Sequence, residues 1–361
     1  MLQTLAHIPS KPLFVLALFL AAASALWNAR ARRREPKTPR SSTPLYLLVG
    51  AWLLLGLRGG SWIPSGGMFS EAWKPVPIFS YGVMLGTSMV VGWFLALRLA
   101  KQDGIPSEQA GAIYMWTAVW AIVGARVLYV ITEWNEFSNP LDIFLLNKGG
   151  LVAYGGLLGG FFSSWYGCHK RKIHLLRWAD VSAPSVVLGT AITRVGCLLF
   201  GCDYGRRTDL PWAIRFPPEA PAWQDHVAHF GLDKTSSWSY PVHPTQIYET
   251  LAGLSIFALL MYLRRVRKFS GLVFVVWVMG YGVLRSIIEI YRGDSDRGTV
   301  GPLSTSQFIG AVSLVAAGLL LFSLFKKYKA DPASMRLWQQ PLPVPAEPGQ
   351  SRSGRRKRKR H

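Results

Sequence analysis

The chain has 361 residues, of which 50% are hydrophobic and only 16% charged, with 15 Trp and a mean hydropathy of +0.22. Such a composition excludes a soluble globular domain, which does not carry so many long apolar runs. The net charge of +21 would suit nucleic acid, but most basic residues border apolar runs, so no nucleic-acid partner is expected.

The first apolar run, 12–27, has the length of a signal-peptide core but the wrong flanks. Only Lys11 precedes it, whereas Arg30, Arg32, Arg33, Arg34, Lys37 and Arg40 follow. It reads as a retained helix. A second run, 45–57, is short for a span, and a Gly/Pro/Ser-rich loop follows at 58–77. Seven further runs lie at about 78–99, 110–131, 151–168, 181–200, 247–263, 271–290 and 307–325. The expected fold is an all-α polytopic membrane protein of about nine transmembrane helices. Basic residues set its orientation. With the N-terminus outside, the four short inner loops 28–43, 98–108, 169–177 and 264–268 hold 16 Lys/Arg, against 10 in all outer segments. The polar insert 201–246 then lies outside as a small head loop, and a basic tail, 330–361, lies inside. The tail is too polar to bury a core.

Three arginines, Arg126, Arg194 and Arg285, fall inside apolar runs. An arginine at a helix centre costs about 2.5–3.5 kcal/mol on insertion scales, so a retained one usually faces a cavity or an anion. Arg194 opens the stretch Arg-Val-Gly-Cys-Leu-Leu-Phe-Gly-Cys-Asp-Tyr-Gly-Arg206. Glycines at 196, 201 and 205 allow close backbone approach, and Arg206 adds a cation at the mouth. The stretch reads as a phosphate seat at the membrane surface. The plainer reading is a snorkelling arginine among helix-packing glycines. Within the head loop, 210–217 reads as extended. Trp223, His226, His229 and Trp238 read as an interfacial aromatic belt. At its end, His243-Pro-Thr-Gln246-Ile-Tyr-Glu249 should open a helix with Pro244 in the first turn and His243 at the cap. Such a terminus favours phosphate or a developing thiolate. Tyr281, Arg285 and Glu289 share one helical face at i, i+4, i+8, and Arg292, Asp294, Asp296 and Arg297 follow. That face is either a structural ion pair or the wall of a water-accessible site. Gly124-Ala-Arg126 and Tyr154-Gly-Gly-Leu157 sit among small residues that serve either helix packing or a lipid head group. The cysteines Cys168, Cys197 and Cys202 have no zinc spacing; a Cys197–Cys202 bridge would need an oxidising compartment. No metal or cofactor is expected.

Taken in order, Tyr81-Gly82, Gly124-Ala-Arg126, Tyr154-Gly-Gly-Leu157, Arg194-Val-Gly196 with Gly205-Arg206, His243-Pro-Thr-Gln246-Ile-Tyr-Glu249, Tyr281-x3-Arg285-x3-Glu289 and Leu303-Ser-Thr-Ser-Gln307 resemble the bacterial prolipoprotein diacylglyceryl transferases. The resemblance covers about 70% of the chain. It implies a seven-helix core at 71–329, preceded by a two-helix extension at 1–70. It also implies transfer of the diacylglyceryl group of phosphatidylglycerol to the lipobox cysteine of a preprolipoprotein signal peptide. The reaction would run at the periplasmic side of the inner membrane, with release of glycerol 1-phosphate. On that resemblance Arg194 would clamp the phosphate, with Arg285 on the developing charge and Arg126 in support. His243 would be the base, with Tyr154 second, and Tyr281 and Glu289 would orient Arg285. Gly196, Arg206 and Gln246 would complete the lipid site. The family commonly has His where Tyr154 stands, Gly-Asn where Gly196-Cys197 stands, and Glu where Cys202 stands. A non-catalytic lipid-binding paralogue or a lipid transporter is the alternative.

Overall fold

The computed structural model describes residues 4–8, 76–137, 143, 150–294 and 298–332. The expected spans at 12–27 and 45–57 lie outside the described residues, as do Asp296, Arg297 and nearly all of the basic tail. Strands β1 (Thr4–Ile8) and β2 (Val76–Phe79) pair antiparallel and lead into the helical body. Eight α-helices follow among the described residues: α1 (Ser80–Gln102), α2 (Ser107–Thr132), α3 (Ala153–Lys170), α4 (Leu175–Phe200), α5 (Pro221–His229), α6 (Thr245–Val266), α7 (Leu272–Glu289) and α8 (Thr305–Ala330). Between α7 and α8, β3 (Thr299–Val300) and β4 (Leu303–Ser304) form a tight antiparallel pair.

Six of these helices, α1, α2, α4, α6, α7 and α8, are long and apolar enough to cross a membrane. Helix α3 forms where a span is expected but is not among the six. Its glycines and serines, and its His169-Lys170 end, dilute the apolar residues. The long helices alternate in direction, so their termini gather at two ends. Large apolar side chains such as Phe94, Leu157, Leu319 and Phe322 remain exposed on the outer faces, as lipid contact requires.

Glycine sets the α2–α3 contact. A Cβ on Gly124 would lie 2.3 Å from the Gly155 carbonyl oxygen, and one on Gly155 would lie 2.2 Å from that of Gly124. Here the packing reading of the glycines holds.

At one end, called here the far end, a single buried acid ties three helices together. Pro184, inside α4, has no N–H to return to the carbonyl of Asp180. Arg264 Nη1, from α6, donates to that carbonyl instead, at 2.9 Å. The Asp180 carboxylate accepts from Gly271 N at 2.8 Å and Phe274 N at 2.9 Å, capping α7, whose own N-cap glycine has no side chain. Arg267 pairs with Asp180 at 2.7 Å and with Asp103 at 2.6 Å, and Arg264 reaches Asp103 at 2.8 Å.

Candidate functional site

The opposite end is built from the C-terminus of α4, the loop after it, the N-terminus of α6 and the segment leaving α7. Main-chain bonds sew these pieces together. Gly205 N donates to His243 O and His243 N to Arg206 O, both at 3.0 Å. Arg206 N donates to Tyr291 O at 2.7 Å, and Gly293 N to Tyr204 O at 3.1 Å. Gly205 is required here, because a Cβ would lie 2.5 Å from both His243 Cβ and His243 O. This pairing corrects the expected cap of α6. With its backbone N–H and C=O held by residues 205 and 206, His243 cannot begin a helix. The helix starts at Thr245, with Pro244 as N-cap and no side-chain cap bond.

Below this lip, Glu249 sits one turn into α6 and is buried. Its carboxylate bridges two of the three intramembrane arginines. One oxygen pairs with Arg194 Nε, and the other with Arg285 Nη1 at 2.7 Å. Arg194 Nη1 also meets Asp203 Oδ2 at 2.5 Å. Arg292 Nη2 reaches the other Asp203 oxygen at 2.6 Å and also holds Asp294. Arg285 Nη2 pairs with Glu289 at 3.0 Å and bonds Ser306 Oγ at 3.3 Å. Three guanidiniums, those of Arg194, Arg285 and Arg292, are thus interleaved with four carboxylates. The phosphate seat is therefore no bare cationic hole but a pre-paired network. Arg194 Nη2 has no hydrogen-bond partner among the described residues.

Burial alone would raise the Asp203 carboxyl, but Arg194 and then Arg292 pull it down to about 2. Burial works against the charge on Arg292, yet Asp294 and Asp203 outweigh it and raise its pKa. The ring of His243 lies 5.3 Å from that of Tyr291, and its Nδ1 is 3.2 Å from the Tyr248 hydroxyl. Tyr248 is itself held by Trp212 Nε1 at 2.8 Å. Partial burial lowers the His243 pKa, which favours the neutral imidazole, the form able to accept a proton, at neutral pH.

Beside the lip a small crevice of about 20 Å³ opens between α4, α6 and α7. Glu249, Tyr281 and Arg285 form its polar end, and Val187, Ile256, Leu284 and Ile288 its apolar walls. Tyr281 lines the crevice but makes no hydrogen bond to Arg285 among the described residues; Glu249 and Glu289 orient that arginine instead. Arg206 is exposed at the rim, its Nε 3.1 Å from the Arg292 carbonyl.

The remaining expected residues are placed differently. Gln246 is buried and donates to the Cys202 carbonyl at 2.7 Å, so it anchors the loop. A Cβ on Gly196 would meet Met84 Cβ at 3.0 Å, so this glycine seats α4 against α1. Arg126 is buried and donates to the carbonyls of Ile143 and Gly150, at 2.9 and 3.1 Å. Tyr154 is exposed on α3. The α2–α3 pair thus carries Arg126 and Tyr154 at the same end, on a different pair of helices from those that build the Glu249 network. Ser304 and Gln307 form a capping box at the start of α8, with both bonds 3.2 Å. The thiols of Cys197 and Cys202 lie with Asp203 inside 4.8 Å, both cysteines free. Two guanidiniums already neutralise Asp203, which leaves that trio a poor host for a cation.

The sequence assigns no role to Glu249 or Asp203, and it sets Arg292 only beside the Tyr281–Arg285–Glu289 face. Glu249 carried a usable signal: an acid inside an apolar helical run demands a partner.

Residues 69–323 match the family model of the prolipoprotein diacylglyceryl transferases. The chain is 34% identical over 254 residues to a protein of Finegoldia magna, covering 70% of this chain and 93% of that one. It is 32% identical over 265 residues to one of Thermosynechococcus vestitus, covering 72% and 92%, and 33% identical over 250 residues to one of Clostridium tetani, covering 68% and 93%. All three carry the name phosphatidylglycerol–prolipoprotein diacylglyceryl transferase. With well over half its length matched, and with arginines and a histidine gathered where the helices meet, this multi-pass membrane protein belongs to the prolipoprotein diacylglyceryl transferase family.

Proposed function

We propose that the Glu249 network is where the chain transfers the diacylglyceryl group of phosphatidylglycerol to the lipobox cysteine of a preprolipoprotein. The observation that carries this reading is the arrangement of Arg194 and Arg285 on one shared carboxylate. Arg285 is fixed at the polar end of a crevice with apolar walls, and the shared Glu249 carboxylate holds Arg194 beside it. The phosphate meets the guanidiniums, and the acyl chains extend over the exposed apolar faces of the helices beside them. Arg194 Nη2 donates to a phosphate oxygen, while Glu249 and Asp203 hold the rest of the side chain in place. Preorganised donors of this kind favour charge that develops on a leaving group.

The nucleophile is a thiol, whose reference pKa of about 8.5 leaves it mostly protonated at neutral pH. His243 takes the thiol proton; its Nδ1 is held by Tyr248, and Nε2 is the other ring nitrogen. The sulfur forms a bond to the glyceryl carbon as that carbon's bond to the phosphate oxygen breaks. The electron pair leaves with glycerol 1-phosphate, whose new charge Arg194 and Arg285 stabilise. Tyr154 stands on a different helix pair, which favours His243 as base.

The lip faces the periplasm across the inner membrane, in line with the excess of basic residues in the loops at the far end. The core is 71–329, with 1–70 an N-terminal extension and 330–361 a cytoplasmic tail. The direct test is rescue of a transferase-depleted bacterium by this chain, with stoichiometric conversion of phosphatidylglycerol to glycerol phosphate. A chain that moves the lipid without consuming it overturns the proposal. For orientation, a reporter active only outside the cytoplasm should respond when fused within 218–236 and stay silent after Lys329; the reverse pattern overturns the sidedness.

A further inference from the structure

The far end holds a partly open cavity of about 530 Å³, on the opposite end of the bundle from the Glu249 network. Its walls come from the C-terminal turns of α1 and α6 and the first turn of α4. Five arginines line it: Arg98, Arg177, Arg264, Arg265 and Arg267. Among the described residues, the carboxylates paired with these arginines are Asp103, in the wall, and Asp180, behind Arg267. Two acids cannot balance five guanidiniums. Arg264 and Arg267 are already committed to those acids, whereas Arg98 and Arg265 are exposed and have no ion pair among the described residues. Leu95, Leu99 and Met261 supply an apolar strip beside the charge.

We propose that this cavity is a second binding site, for the phosphate group of an anionic amphiphile, separate from the site of transfer. Three features define that ligand. The excess of positive charge selects an anion, and planar guanidinium forks match phosphate oxygens in pairs. The volume falls in the range of small-molecule sites, well beyond a single inorganic ion. The apolar strip lies where a glycerol backbone and the first methylenes of a lipid would rest. Basic pockets between helices at a membrane face take anionic head groups in this way. The same chemistry would accept a soluble organic phosphate, and the sources are separated by experiment.

The full chain is placed in nanodiscs of phosphatidylcholine containing a trace of photoactivatable phosphatidic acid or, as control, photoactivatable phosphatidylcholine. Cross-linked peptides are mapped by mass spectrometry. Phosphatidic acid should label residues 95–103 and 261–270 about tenfold more than the control lipid. The double variant Arg98→Gln/Arg265→Gln should lose about tenfold of that far-end label, while labelling at the lip and the transfer rate stay as in the parent. Both side chains are exposed, so folding is preserved; an unchanged elution profile checks it. Added inorganic phosphate at millimolar concentration that displaces the label assigns the site to soluble phosphates, and resistance to it assigns the site to lipid. Equal far-end labelling by the two lipids, or undiminished labelling in the double variant, overturns the proposal. A transfer rate that falls in parallel with the label overturns the separation of the two sites.

Discussion

The two ends of the helical body use the same side chain for opposite ends. At the lip, Arg194, Arg285 and Arg292 are matched and slightly outnumbered by Asp203, Glu249, Glu289 and Asp294. At the far end, five arginines outnumber two acids around a cavity. Matching acids fix the orientation of a guanidinium and temper its charge, which suits a group that must act on a leaving phosphate. An excess leaves charge unspent, which suits attraction of an anion or a lipid face. What an arginine does is thus decided by its carboxylates, and those come from other helices.

The sharpest way to break the contrast is at Asp180. It is fully buried, pairs with Arg267 and caps α7. Asp180→Ala leaves the buried Arg267 with Asp103 alone and strands two backbone N–H groups, and removing one partner of a buried pair costs about 3–5 kcal/mol. The loss should appear as a large drop in thermal midpoint in detergent, with normal transfer per folded molecule at low temperature. A variant that keeps its midpoint would mean the far end is not the clamp described.

At the lip the loss should fall on rate per folded molecule, beyond any loss of stability. Arg194→Ala should slow transfer by about thirty- to a thousandfold, from about 2–4 kcal/mol of lost charge stabilisation. Arg194→Lys should lie between, because it keeps charge but not the fork. The assay is glycerol phosphate release with a lipobox peptide from pH 6.5 to 9. Near-parental turnover in a folded Arg194→Ala protein would remove this arginine from the chemistry.

His243→Ala should cost about a hundredfold at pH 7, the lower range for a general base. It should recover as pH rises, since more substrate thiol ionises unaided, whereas Arg194→Ala should not recover. Identical pH profiles for the two variants would erase the division between base and clamp.

A smaller effect separates the lip from the far end by pH. The Asp203 pKa falls from the ordinary 3.8 to about 2 in the folded chain. The folded state then binds fewer protons than the unfolded state across that window. The stability it contributes is fully present above 3.8 and is lost as pH falls toward 2. Asp203→Asn should flatten that part of the stability curve; an unchanged acid limb would discount the pairing with Arg194 and Arg292. Smallest of all, deleting 330–361 should leave transfer largely intact, measured in a well-inserted truncation.

The course of the spans was legible because hydropathy is local: α1, α4, α6, α7 and α8 lie where apolar runs predict them. Helix α3 shows the limit, since its glycines lower its hydropathy while fitting it to α2. Arg194, Arg285 and Glu289 were legible as charges in apolar surroundings. Glu249 was legible as a motif residue but not as the bridge, because the bridge joins residues 194 and 285 through a third helix. The start of α6 was misplaced for a similar reason. Pro244 is a local helix signal, and the pairing of His243 with Gly205 and Arg206 is not local. Arg126 sits in its span as read, but the carbonyls of Ile143 and Gly150 claim its donors.

The main-chain stitching at the lip has a further consequence. Residues 204–206, 243 and 291–293 come from three separate junctions, yet backbone bonds join them into one plate. A plate of this kind moves as a unit or not at all, so no single loop can swing aside to let a two-tailed molecule in from above. The crevice beside it, by contrast, is walled by side chains of α4, α6 and α7 with no ladder across the gap. With the roof closed to a two-tailed molecule, the approach left to it is from the plane of the bilayer, toward Glu249 and Arg285.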